Sequence, residues 1–449
     1  MSARVRRVRG WQALDSRGRP TVACRVDLVS GASGRAIVPS GASAGSHEAH
    51  ELRDGDDRYG GRGVLRAVGH VNGVLSDAVT GLDASEPGAV DAALLALDDS
   101  PGFAMLGANA MLAVSLASAI AAADDAGVPL ARHLGGPGDL LLPMPMVNVL
   151  SGGAHAGGAL DVQDFLVIPC GAGSFTEAIE WAVRVRDTAT AIAGRDGHRA
   201  ATLVADEGGL GIPLPTNRSA LELLTRAIEE AGLVPGGDAG IAIDVAASEF
   251  FEGGRYRLRA EGRVLDAGQL RDEIVGWCAD FPVLSVEDPL HEDDWAGWSE
   301  VTAALGGSVE VVGDDLFVTQ SERLRRGIDA GAATSVLVKV NQNGLISRAQ
   351  EVVALAHSSG YATVVSARSG DTEDTWLADL AVGWRAGQIK VGSTHRSERN
   401  AKWNRLLEFE ATESTTFAGP WPVRRDPGLG RDRPSPRSAT WVEERGASQ

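Results

Sequence analysis

Three cysteines in 449 residues are too few, and the wrong number, for a disulfide framework. Cys24, Cys170 and Cys278 stand far apart and no Cys-x-x-Cys pair offers a zinc site, so a reducing, cytoplasmic setting is predicted. Positive charge is also scarce. There are 42 Lys and Arg against 60 Asp and Glu, a net charge of −18. No basic block or aromatic-interleaved basic stripe relieves that balance, which excludes nucleic acid as the expected partner. Long apolar runs are missing too. No window approaches about 18 uninterrupted apolar residues, so no membrane span is predicted. The basic start MSARVRRVRGW leads into no apolar stretch and does not read as a signal peptide.

What is present is the composition of a soluble globular protein with ample core, 44% hydrophobic and 23% charged. The length suits a barrel of roughly 250–300 residues with a smaller companion. The first part reads as α+β. Alternation in TVACRVDLVSG (21–31) and RAIVPSG (35–41) predicts strands, and helical spacing follows over 63–79 and 107–127. The Gly/Pro-rich stretch 134–145 reads as a connector.

Beyond it, short β-branched runs alternate with helical segments such as 219–232 and 346–360. That rhythm predicts a parallel sheet closed into a β/α barrel. The organisation expected is an α/β chain: a cap domain over 1–134, a barrel over 143–424, and a disordered Pro/Arg/Ser-rich tail over 425–449.

Barrel enzymes carry their chemistry at the C-terminal ends of the strands. The residues that close the apolar runs here are Glu207, Asp244, Glu287, Asp314, Lys339, Arg368 and Lys390. Any one acid after a strand can be a helix cap, but seven chemically coherent strand ends in a row are hard to assign to capping. Asp244, Glu287 and Asp314 offer three hard oxygen donors, which suit Mg²⁺, and no Cys/His cluster competes for a softer metal. A lysine among such carboxylates could act as general base if metal and neighbouring cations lower its pKa. Three Gly/Ser-rich segments, 39–49, 151–159 and 248–256, read as mobile covers. His155, set between small residues in the second of them, could meet substrate when its loop closes.

Eleven ordered segments, among them SGASAGSHEAHELRDGD, VADEGGL, SVEDPLHEDDW, LVKVNQNG and ARSGDTEDT, resemble the enolase family over about residues 10–425. The resemblance implies a small cap domain before a β/α barrel, and a homodimer or larger homo-oligomer. It further implies that the substrate is 2-phosphoglycerate or a close phosphorylated or phosphonate carboxylate. By that resemblance Asp244, Glu287 and Asp314 hold a first Mg²⁺, and Ser43 helps hold a second that enters with substrate. Lys339 would take the C2 proton, and Glu207 would help the C3 hydroxyl leave. Arg368 and Ser369 would clamp the phosphate, Lys390 would meet the carboxylate, and Gln163, Asp164 and His155 would complete the polar network.

Departures from the family pattern cluster at the site. Ala367 stands where histidine is usual, Asp164 where glutamate is usual, and Ala44 replaces a threonine. They leave three readings open. One is an ordinary enolase forming phosphoenolpyruvate, and another is a phosphonate-pathway paralogue joining phosphonoformate to an enolpyruvate unit, as carboxyphosphonoenolpyruvate synthase does. The third is an inactive binding protein.

Overall fold

The computed structural model describes residues 3–42 and 45–421. Ser43, Ala44 and the tail over 425–449, for which expectations were set, lie outside the described residues.

The chain begins with three antiparallel strands, Val5–Leu14, Pro20–Leu28 and Ser33–Ile37. The helix Ala108–Ala126 packs on them and is buried along nearly its whole length. Its alanines let it come very close. A Cβ on Gly34 would lie 2.1 Å from the Ala117 carbonyl oxygen, so strand and helix meet backbone to backbone. The helix stops at Gly127, whose φ of 67° continues the chain in the left-handed conformation a C-cap needs. The segment 63–79 is helical as expected, in three consecutive helical segments from Leu65 to Val79.

Eight strands then close a barrel. In chain order they are Met144–Ser151, Asp164–Ile168, Gly240–Asp244, Val283–Glu287, Glu310–Gly313, Ser335–Val338, Ala362–Ser366 and Gly387–Gly392. Most are buried along their full length, as expected of strands covered on both faces. The helices between them bury one stripe each. Asn217–Glu230 turns Ala220, Leu221, Leu224, Ala227 and Ile228 inward and is capped by Thr216, whose hydroxyl accepts from the Ser219 amide. Ala267–Asp280 starts with a capping box from Asp266 and Gln269.

Three sequence expectations need correction. The barrel is not wholly parallel: its second strand runs antiparallel to both neighbours, joined to the first as a hairpin and to the third through two helices. The segment before Glu207 is no strand. It forms a 3-10 turn over Arg199–Thr202 and an isolated bridge between Val204 and Leu210, so Glu207 sits on a turn. The connector 134–145 contains a short strand, Leu140–Leu142, paired with Thr415–Phe417.

Strand periodicity stacks the barrel interior in layers. One layer holds Met146, Leu166, Ala242, Val312, Leu337 and Val364 in a single apolar cluster. Ser285 and Gln388 join it from their own strands and both donate to Glu310, at 3.0 and 2.7 Å. Two residues further toward the mouth come Asn148, Asp244, Glu287, Asp314, Lys339, Ser366 and Lys390. Asp164 joins them from two residues earlier than Leu166, because its strand is reversed.

Candidate active site

The strand-end residues meet as alternating charges. Lys390 Nζ donates to Asp244 Oδ2 and to Glu287 Oε2, each at 2.7 Å. Lys339 Nζ donates to Asp314 Oδ2. Gln163 Nε2 donates to Asp244 Oδ2 at 3.2 Å. All of these side chains are nearly sealed from solvent.

Burial sets the electrostatics, and the lysines redirect it. Burial pushes the Asp244 carboxyl up, but the Lys390 ammonium outweighs it and holds the pKa below the usual range. On Glu287 the same lysine is outweighed. Burial and then the Asp244 charge raise it well above the carboxylate range. Burial opposes the charge on Lys339, yet the Asp314 carboxylate prevails and raises its pKa. Among the protein's own groups, then, the lysine is tuned up; the lowering expected of it was to come from Mg²⁺ and neighbouring cations.

A second acidic cluster lies beside the first, formed by Asp288, Asp314 and Asp315. Asp288, at a φ of 43°, accepts from the Asp314 amide at 3.0 Å and the Asp315 amide at 2.8 Å. Burial, followed by the charges of Asp315 and Asp314, raises Asp288 well above its ordinary value.

The reversed second strand brings in a hydrogen-bonded relay. Asp164 Oδ1 accepts from Asn148 Nδ2, and from Ser151 Oγ at 3.0 Å. Its Oδ2 faces His155 Nδ1 at 2.9 Å, and His155 Nε2 lies 3.9 Å from Glu207 Oε1. Burial alone would lower the His155 pKa; Asp164 and then Glu207 overcome it and raise it to about 9. The turn carrying Glu207 is seated against this relay. A Cβ on Gly209 would fall 2.4 Å from Asn148 Oδ1 and 2.6 Å from Ser151 Oγ. The segment 151–159 is therefore no loose cover: Gly153–Ala156 forms a 3-10 turn with His155 already buried. The segment 248–256 is likewise structured, leading into a hairpin whose Tyr256 is buried.

Arg368 and Ser369 are braced from both domains. Arg368 Nη1 donates to Glu48 Oε2 at 2.9 Å and to Asn341 Oδ1 at 3.1 Å, while Nη2 donates to Glu48 Oε1 at 3.2 Å. Ser369 Oγ accepts from the Ala42 amide at 2.6 Å and from Arg17 Nη1 at 3.2 Å. Arg399, with no exposed side chain, donates to the carbonyls of Arg368 and Ser369 at 2.7 and 2.6 Å and fixes that backbone.

One small cavity gathers most of the expected residues. His155, Gln163, Glu207, Asp244, Lys339, Arg368, Ser369 and Lys390 line it, together with Ala367. Asp164 stands behind His155, and Glu287 and Asp314 are reached through the two lysines. The sequence reading missed Glu48, Asn148, Ser151, Asp288, Gln342 and Arg399. Glu48 and Gln342 fell inside motifs already quoted, but nothing in their spacing marks them as site residues.

The donor set fits a hard divalent cation. Three carboxylates from consecutive strands converge without sulfur or imidazole, two ammonium groups already compensate them, and Glu287 Oε1 is buried without a hydrogen-bond partner among the described residues.

A cap domain ahead of an eight-stranded barrel with a reversed second strand, and carboxylates facing lysines at its mouth, defines a lyase of the enolase superfamily. The family model described as enolase, C-terminal TIM barrel domain, matches residues 139–423, and that of the enolase N-terminal domain matches residues 5–134. The enolase of Rubrobacter xylanophilus is 49% identical over 431 residues, covering 96% of this chain and 98% of the relative. The chain belongs to the enolase family. No helix among the described residues is long and apolar enough to cross a membrane.

Proposed function

We propose that the protein removes water from 2-phosphoglycerate to give phosphoenolpyruvate, in a Mg²⁺-dependent reaction that starts with loss of the C2 proton. The observation that carries this reading is the shared cavity, where Lys339, Glu207 and the Arg368–Ser369 pair face one space. Asp244, Glu287 and Asp314 would hold Mg²⁺, which when bound supplies positive charge against the substrate carboxylate and its developing enolate.

A cation bound at the neighbouring carboxylates, together with the charges of Arg368 and Lys390, would favour the neutral amine of Lys339, whose Nζ takes the C2 proton as general base. The C2–H electron pair becomes the C2–C3 double bond as the C3–O bond breaks. Glu207 gives its proton to the departing hydroxyl, which leaves as water. His155 and Asp164 hold Glu207 in place and restore its proton. Arg368, its terminal nitrogens already turned to Glu48, supplies positive charge to the phosphate, Ser369 adds a hydroxyl, and Lys390 and Gln163 orient the carboxylate end. The substrate is thus a small phosphorylated carboxylate and the setting cytoplasmic, with the protein working as a homo-oligomer.

A second reading is favoured by Ala367. Ala367 lines the cavity beside Arg368, where a larger residue would leave less room for a second anion such as phosphonoformate. The test is phosphoenolpyruvate formation from 2-phosphoglycerate with excess Mg²⁺, with and without phosphonoformate, paired with C2 deuterium exchange. Rapid phosphoenolpyruvate formation unaffected by phosphonoformate supports the first reading. Exchange with little phosphoenolpyruvate, and a new product when phosphonoformate is added, supports the second. Absence of both exchange and product overturns the pair.

A further inference from the structure

We infer that Glu48, from the N-terminal domain, is a positioning residue that sets Arg368 and Asp314 together. The inference rests on the reading of Arg368 as the phosphate clamp and Asp314 as a metal ligand.

The geometry is specific. Both oxygens of Glu48 face the two terminal nitrogens of Arg368, at 2.9 and 3.2 Å, a fork-to-fork pair between buried groups. Glu48 Oε1 also accepts from the Gly45 amide at 3.2 Å and from Gln342 Nε2 at 3.3 Å. Gln342 is the junction. Its Nε2 donates at 2.9 Å to Asp314 Oδ1, the oxygen opposite the one that Lys339 holds. Its Oε1 accepts from Thr319 Oγ1 at 2.7 Å, and that same hydroxyl oxygen accepts from the Lys339 backbone amide at 2.9 Å. One hydrogen-bonded chain therefore runs from the N-terminal domain through Gln342 to the metal carboxylate and to the backbone of the base.

The orientation of Gln342 follows from this chain. Its NH₂ lies between two carboxylates and its carbonyl oxygen meets a hydroxyl, so a flipped amide would set oxygen against oxygen twice. The segment bearing Glu48 is pinned to the barrel around it. The Ala49 amide donates to the Gln342 carbonyl at 2.9 Å, the Ser46 amide to Glu292 Oε2 at 3.1 Å, and His47 Nε2 lies 3.1 Å from Asp293 Oδ1. The barrel carries the reacting groups, and the other domain fixes where two of them point.

Glu48→Gln keeps the shape and removes the charge. Gln342→Met keeps the volume and removes both donors. For Glu48→Gln, KM for 2-phosphoglycerate should rise about tenfold with kcat within about threefold, and hydrogen exchange at the Ala49 amide should quicken about tenfold. For Gln342→Met, calorimetric titration with Mg²⁺ alone should show about tenfold weaker binding, as expected when the partner of a metal ligand is lost. The double variant should lose less than the product of the two single losses. If Glu48→Gln proves unstable, Glu48→Asp, which retains the charge on a shorter arm, should give an intermediate KM.

A lowered KM in Glu48→Gln would overturn the inference, because Glu48 would then be a rival of the substrate anion. Unchanged KM, exchange and Mg²⁺ affinity would overturn it as well. If the wild-type protein does not turn over 2-phosphoglycerate, the fault lies with the functional reading, and the Mg²⁺ titration and the Ala49 exchange still decide the role of Glu48.

Discussion

Leu337 and Lys339 are two residues apart on one strand, as are Val312 and Asp314, and Ala242 and Asp244. Each pair belongs to adjoining layers of the same barrel, yet the layers do opposite things. The lower is a packed apolar disc whose polar members, Ser285 and Gln388, both donate to Glu310, with Gln388 Oε1 alone left without a hydrogen-bond partner among the described residues. The upper buries Glu287 with a raised pKa, and one of its oxygens, Oε1, has no hydrogen-bond partner among the described residues. Such groups persist only where the surrounding structure over-determines them. The difference teaches that the disc supplies stability and the mouth spends some of it on a poised charge array.

Four experiments break or sharpen that contrast. Lys339→Ala should have the largest effect, slowing C2 proton exchange by about 10³–10⁴-fold, the range expected for a lost general base, with Mg²⁺ binding retained. Exchange that survives would remove Lys339 from the base role. Glu287→Gln should weaken Mg²⁺ binding by about 100-fold by removing an anionic ligand. Since Glu287 is held well above its ordinary pKa, the Tm of the protein without metal should stay the same or rise. A lower Tm would mean that the mouth is not strained.

Leu337→Ala should reverse the pattern. It should lower unfolding free energy by about 3 kcal/mol through the cavity it opens, with kcat/KM unchanged within about threefold while the protein stays folded. If catalysis fell as far as stability, the two layers would not be separable.

The smallest effect concerns pH. His155 has a folded pKa of about 9 against an ordinary 6.5. The folded protein therefore binds the proton more tightly, and the stabilisation is complete below about pH 6.5 and lost as pH rises toward about 9. Denaturant melts of wild type and His155→Asn should differ most at the acidic end of that window and converge above it. A gap that widens with pH would reverse the assigned sign.

Most of the mouth was legible because strand ends are legible. Asp244, Glu287, Asp314, Lys339, Arg368 and Lys390 each stand at or near the end of a β-branched run, and helical or strand periodicity located those runs. Glu207 was found on a false premise, since it lies on a turn and owes its place to the bridge between Leu150 and Leu210. The reversed strand was not legible at all. Alternation reports that a strand exists, not which way it runs, so Gln163 and Asp164 came from family resemblance alone. Glu48 and Gln342 were missed for a related reason: they act by touching other site residues across long sequence gaps, whereas Asn148 and Ser151 act across a hairpin that alternation does not announce.

The hairpin made by the first two barrel strands has a consequence for assembly. Asn148 and Asp164 are 16 residues apart in sequence, whereas Lys390 and Asp244 are 146 apart. Contacts that close short loops form with little entropic penalty, and distant ones wait for the rest of the chain. As the chain emerges from its N-terminus, the Asn148–Asp164 contact that holds His155 becomes available once residue 168 is out. The lysine that bridges Asp244 and Glu287 finds them only when the eighth strand closes the ring. One wall of the site is a local object, and the other exists only in the finished barrel.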